Sequence, residues 1–154
     1  MDAEISITQI QLENPSKTYC LKAIAKLEAD IFHDAWSEKV LDEMLESKFN
    51  FIFAASRNEK IIGYYCMQFI AGEGELLRIA IAPDMRRKGI GSILMGHMTQ
   101  TFIALKCEKL FLEVNEINSA AISLYEKNDF KRISHRKDYY GKGEHAVIMM
   151  KKLQ

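Results

Sequence analysis

Glu113 is a carboxylate set in an apolar strand pattern, Leu110-Phe111-Leu112-Glu113-Val114. A period of two puts Leu110, Leu112 and Val114 on one face and Phe111 with Glu113 on the other. A carboxylate so placed either meets solvent or lines a cavity. In a partly desolvated cleft its pKa rises toward neutrality, as a general base requires. Tyr125, twelve positions on, falls in the last turn of a short helical pattern at helical spacing from Ala121, the ordinary place for a packed core aromatic. The third candidate is the loop Ala82-Pro83-Asp84-Met85-Arg86-Arg87-Lys88-Gly89-Ile90-Gly91-Ser92. A strand feeding a helix through such a loop turns several backbone N–H groups toward one point. The helix dipole and three cationic side chains favour an anion there, and glycine admits a phosphate with no Cβ in the way. The loop lacks the Lys-Ser/Thr of a P-loop and the spacing of the dinucleotide fingerprint. It reads either as a solvated strand-to-helix turn or as a backbone cradle for a pyrophosphate-bearing ligand.

The elements that must carry these residues follow from pattern. Ile5, Ile7 and Ile10 predict a first strand ending near Asn14-Pro15. Ser16 caps a helix to about Ile31, with Leu21, Ile24, Ala25, Leu27 and Ile31 on its apolar side. Residues 32–36 break that pattern, and Ser37 opens a second helix to about Ser47. Phe49 to Ala55 and Ile61 to Ile70 are strands joined by the polar turn Arg57-Asn58-Glu59-Lys60. Gly72-Glu73-Gly74 is a second tight turn into the strand 76–81, which completes an antiparallel meander. A helix with Ile90, Ile93, Leu94, Met98, Phe102 and Leu105 at helical period follows the basic loop. Then come a strand over Lys109–Val114, a helix from Asn118-Ser119 through Tyr125, and strands over Phe130–His135 and Ala146–Met150. Tyr139-Tyr140-Gly141-Lys142-Gly143 lies between these last two. The sum is α+β: a mixed, mostly antiparallel sheet of six to seven strands with helices on both faces.

At 154 residues, with no repeat, low-complexity tract or linker, the chain reads as one domain over 1–154. Lys and Arg balance Asp and Glu at 21 each, so no global field draws it to nucleic acid or an anionic membrane. The basic loop is too small for a nucleic-acid footprint. Cys20, Cys66 and Cys107 form neither a disulfide framework nor a zinc pattern, and His33, His97, His135 and His145 lack ligand spacing, so no metal is expected. The acidic start differs from a signal peptide, and no segment has the apolar length of a membrane span, which together read as a cytoplasmic protein.

Arg86-Arg87-Lys88-Gly89-Ile90-Gly91 resembles the R/Q-x-x-G-x-G/A signature of the GCN5-related N-acetyltransferase (GNAT) superfamily. Phe111 to Val114 followed by Asn118 to Phe130 resembles the family's "LEV…N-x-x-A-x-x-L-Y-x-x-x-G-F" block. Trp36-Ser37-Glu38 is similar to the "P-W-S-E" segment of the ribosomal-protein alanine N-acetyltransferase (RimI-type) branch. Asp138-Tyr139-Tyr140 before Ala146–Met150 is similar to that branch and to protein N-terminal acetyltransferases. The resemblance spans roughly Ile5 to Lys152. Asp129 stands where the family has Gly, and Ala35 where it has Pro.

The resemblance implies the GNAT fold and acetyl-CoA as co-substrate. Ile79, Ala80 and Ile81 are then expected to offer main-chain hydrogen bonds to the pantetheine arm. Arg87, Lys88, Gly89, Ile90, Gly91 and Ser92 are expected to cradle the pyrophosphate, and Asn118 to bond near the thioester. Glu113 resembles the general base and Tyr125 the general acid of a direct transfer without an acyl-enzyme. Trp36, Tyr139 and Tyr140 are expected to flank the acceptor groove. The implied activity is acetylation of a protein N-terminal α-amine, with a ribosomal protein bearing N-terminal Ala as the expected partner. A free small-molecule amine or a lysine side chain is an alternative acceptor. A non-catalytic CoA-binding regulator is the alternative from a different class.

Overall fold

The computed structural model describes residues 4–154; residues 1–3, part of the acidic start, lie outside them. Seven strands form one sheet: β1 (Ser6–Ile10), β2 (Asn50–Arg57), β3 (Lys60–Ile70), β4 (Glu73–Ile81), β5 (Lys109–Asn115), β6 (Lys131–Gly141) and β7 (Glu144–Lys152). Their spatial order is β1-β2-β3-β4-β5-β7-β6. Every neighbouring pair is antiparallel except β4 with β5.

Four α-helices cover the sheet: α1 (Lys17–Ile31), α2 (Glu38–Leu45), α3 (Ile90–Ala104) and α4 (Ser119–Lys127). Leu21 and Ile24 of α1 and Leu41 of α2 pack with Ile52 and Tyr64 on one face. Leu94, Met98 and Phe102 of α3 and Ile122 of α4 pack with Leu110, Leu112 and Met149 on the other. The alternation in β5 thus sends its three aliphatic residues to the α3 side and leaves Phe111 and Glu113 on the opposite face. No helix among the described residues is long and apolar enough to cross a membrane.

The sheet is not paired evenly. β4 and β5 are joined only from Glu73 against Lys109 to Leu76 against Leu112. There β4 carries a bulge: Leu76 opposes Met67 and Arg78 opposes Cys66, leaving Leu77 as the extra residue. A bulge bends its strand and increases the local twist. Beyond Leu77, β4 keeps β3 and has no ladder with β5, while β5 continues along β7 to Asn115. The two strands therefore enclose an opening in mid-sheet.

Two of the boundaries that differ from the sequence reading bear on the site. The β3–β4 turn sits at Ala71-Gly72, both with positive φ, so Glu73 and Gly74 already belong to β4. β6 runs through Tyr139 and Tyr140, which are strand residues beside the last turn rather than part of a long connection. β6 is an edge strand exposed along nearly its whole length, so it has no buried face to impose an apolar alternation.

Candidate active site

The opening between β4 and β5 exposes backbone of known polarity. The Ala82 N–H donates to Ile62 O at 2.8 Å, which sets the β3-facing side of the strand. Antiparallel alternation then directs Ala80 toward β3 and the N–H and C=O of Ile79 and Ile81 into the gap. Arg86 Nε donates to Ile81 O at 3.3 Å from that side. Ala80 thus presents its main chain to the sheet rather than to the opening.

A 3-10 turn over Pro83–Met85 follows β4, and the loop then bends through Arg87 at φ 62° and Gly89 at φ 79°. Gly89 is the N-cap of α3 and supplies no side-chain acceptor, whereas Ser37 caps α2 and Asn118 caps α4. The first-turn N–H groups of α3 therefore keep the donor capacity that a cap normally absorbs. A Cβ on Gly89 would meet nothing within 4 Å, so the space over this helix end is open. Gly91 has a different reason: a Cβ there would lie 3.1 Å from Leu124 of α4. It lets α3 and α4 close together. Arg87 and Lys88 are exposed around the same end.

On the face away from α3, Glu113 shares an open hollow of about 450 Å³ with Gln68, Glu75, Phe111 and Ile148. Its side chain is 24% exposed and pairs with Arg136 Nη1 of β6 at 3.2 Å. Burial, and then the charge of Glu113, push the Glu75 carboxyl above its ordinary range. Tyr139 stands beside Glu113, which holds its phenol up, and Arg136 lies 4.3 Å from the Tyr139 ring centre. Tyr139 and Tyr140 meet edge to face at 5.0 Å. Tyr125 is buried in the α3-side core against Phe130, its phenol pushed up to about 12 by burial and then by Tyr140. The two tyrosines of β6 thus link the surroundings of Glu113 to those of Tyr125.

The other expected residues are placed differently. Asn118 Oδ1 accepts from Ala121 N at 3.2 Å, which leaves its amide N–H₂ to donate elsewhere. Asp129 adopts φ 70°, so it takes the left-handed conformation of the glycine it stands in for. The Arg78 guanidinium lies over the Trp36 ring, 4.4 Å from its centre. Burial pushes the Cys66 and Cys107 thiols up, away from the thiolate a nucleophile needs.

Residues 21–130 match the acetyltransferase (GNAT) family. The chain belongs to this family. It is 33% identical over 118 residues to the ribosomal protein bS18-alanine N-acetyltransferase of Escherichia coli, spanning 74% of this chain and 78% of that one. The crystal structure of the Escherichia coli ribosomal-protein alanine N-acetyltransferase superposes with a TM-score of 0.85 at 27% identity, covering 98% of this chain and 95% of that one. Arabidopsis thaliana NAA60, solved with acetyl-CoA, shares the fold at a TM-score of 0.81 and 17% identity, with 97% and 98% covered. The GNAT fold and the acetyltransferase class expected from the motifs are thus met.

Within this acetyltransferase the sequence reading missed four side chains. Glu75 falls between the expected turn and the expected strand 76–81, so the pattern assigns it no face, whereas it belongs to β4. Arg136 lies in the unpatterned edge strand. Glu28 and Arg78 pair across 50 positions, with Arg78 Nη2 donating to Glu28 Oε2 at 2.9 Å. No local spacing signals a contact of that range.

Proposed function

We propose that the chain, working in the cytoplasm as a single domain, moves the acetyl group of acetyl-CoA to the N-terminal α-amine of a protein. A ribosomal protein with N-terminal Ala is the acceptor named for the relatives it resembles. The observation that carries this reading is the opening between β4 and β5. Three features support it: β4 has no ladder with β5 beyond Leu76, α3 starts without a side-chain cap, and Glu113 lies on β5 one residue past the last paired position.

Ile79 and Ile81 offer N–H and C=O to the amides of a pantetheine arm lying along β4. The N–H groups of Gly89 to Ser92, with Arg87 and Lys88 outside them, take the pyrophosphate. Asn118 donates its amide near the thioester. An α-amine has a reference pKa of about 7.7–8.0 and is mostly protonated at neutral pH. Glu113 accepts that proton, directly or through one water, and the freed amine attacks the thioester carbonyl. Strand N–H groups of β4 stabilise the oxyanion. Tyr125, kept protonated by burial, donates to the sulfur as the C–S bond breaks, and the proton that the acylated nitrogen sheds to solvent restores the phenol. Tyr139 and Tyr140, with Trp36, flank the incoming N-terminus.

The test is mass spectrometry of ribosomal proteins and short Ala-, Ser- and Met-starting peptides incubated with enzyme and acetyl-CoA. Acetyl on the α-amine alone supports the reading. Acetyl on lysine side chains or only on free polyamines replaces the acceptor, and binding of acetyl-CoA without turnover on any amine replaces the enzyme by a CoA-binding protein.

A further inference from the structure

Glu28, in the last turn of α1, is a charged side chain with no exposed surface. A buried carboxylate must be compensated, and this one is. It accepts from the Tyr64 hydroxyl. It also accepts from Arg78 Nε at 3.0 Å, Arg78 Nη2 at 2.9 Å and the backbone N–H of Trp36 at 3.2 Å. Arg78 continues outward. Its Nη2 donates to the Asp34 carbonyl at 3.0 Å and approaches Asp34 Oδ1 at 3.4 Å. The guanidinium lies 4.0 Å from the Phe32 ring centre and 4.4 Å from that of Trp36. One side chain of β4 thereby holds the irregular segment 32–37, between α1 and α2, at four points: two rings, one carbonyl and one carboxylate.

The position of this clamp gives it a use. Arg78 sits directly after the bulge residue Leu77, where β4 parts from β5. Leu77 and Ala80 pack on the α1 and α2 face of the sheet, and Arg78 reaches α1, so Arg78 lies on that face. Glu75, which lines the hollow with Glu113, points to the same side. The segment 32–37 therefore borders the opening on the face opposite α3, away from the anion-binding helix end. A buried ion pair is weak evidence of stabilisation in itself, and its best-attested use is to select one arrangement over others. Here the arrangement selected is that of 32–37.

We propose that Arg78 is a positioning residue for the acceptor: anchored on Glu28 and gripped by Phe32 and Trp36, it holds 32–37 in the shape that receives the acceptor N-terminus. This rests on the acceptor reading given above. Lysine in its place keeps the charge but has neither the two-pronged donor geometry nor the flat face that stacks on rings.

The test compares wild type with Arg78→Lys. The double variant Glu28→Gln with Arg78→Met removes both charges and so leaves neither buried alone. Trp36 is the sole tryptophan, so intrinsic fluorescence reads the clamp directly. In both variants the expected outcome is a red-shifted, more mobile Trp36 signal and a rise of about tenfold in KM for an N-terminal Ala peptide, with kcat within about twofold. Acetyl-CoA binding by calorimetry stays as in wild type. If Arg78→Lys does not fold, the double variant carries the test. An unchanged peptide KM overturns the proposal, and so does a KM rise without a Trp36 change. A joint loss of kcat and acetyl-CoA affinity also overturns it, because that marks general loosening. A wild-type enzyme that acetylates no peptide N-terminus fails earlier, sinking the acceptor reading and this role with it.

Discussion

Glu75 and Glu113 project from neighbouring strands into one hollow, and burial, then the charge of Glu113, gives the Glu75 titration a measurable sign. Because the Glu75 carboxyl is pushed up, the folded protein keeps its proton to a higher pH than the unfolded chain does. Stability is therefore lost as pH rises from the ordinary carboxylate value of about 4.3 through the raised one, and the penalty persists above it. Glu75→Gln removes the penalty. Thermal melts should show a higher midpoint for the variant at neutral pH and no gain at pH values below about 4. The gain stays under about 1 kcal/mol, since solvent still screens a half-buried group. Glu113→Gln answers a different question. As general base its loss should lower turnover by about 100-fold or more at neutral pH. Raising the pH restores part of that, because the amine then loses its proton unaided. Tyr125→Phe should slow CoA release with no such recovery. Equal rates for wild type and both variants across the pH range would remove Glu113 and Tyr125 from these roles.

The strand-to-helix loop ahead of α3 allows a cleaner substitution. Gly89 has φ 79° and empty space where a Cβ would stand, so Gly89→Ala costs only the left-handed backbone strain, about 1–2 kcal/mol. Its new methyl projects over the open helix end. Chemical denaturation should register that cost, and calorimetry should find acetyl-CoA bound more weakly than destabilisation alone explains. This element was readable in the sequence, because a turn pair, two glycines and a 3.6-residue period are local signals. The meander and the faces of β5 were readable for the same reason. β6 was readable only over its first half, to His135: the later residues meet solvent on both sides, so Tyr139 and Tyr140 carried no strand signal. The bulge at Leu77 was also invisible, since it arises from the register between β3 and β4 rather than from the composition of either. Without it neither the opening nor the orientation of Arg78 could be derived. What remained hidden in the site depends on pairing between distant strands and helices.

The whole sheet behaves as two halves joined by a short seam. β1 to β4 and β5 to β7 share only the ladder from Glu73 to Leu76, yet one apolar cluster runs across the seam, joining Phe53 and Tyr65 to Leu110 and Met149. The core holds the halves together while the main chain beyond Leu76 has no strand partner on one side. A ligand threaded there should complete hydrogen bonds that folding alone leaves open, and should therefore stabilise the molecule as one unit. At a free concentration of about 100 times Kd, binding contributes about 2.7 kcal/mol. For a chain of this size that raises Tm by about 5–11 °C. Hydrogen exchange locates the effect. The Ile79 and Ile81 amides should exchange readily in the free protein and slow markedly with acetyl-CoA, while those of Tyr64 and Tyr65 in the centre of the sheet are slow in both. A rise in Tm without protection of Ile79 and Ile81 would place the ligand elsewhere, and the opening between β4 and β5 would lose its function.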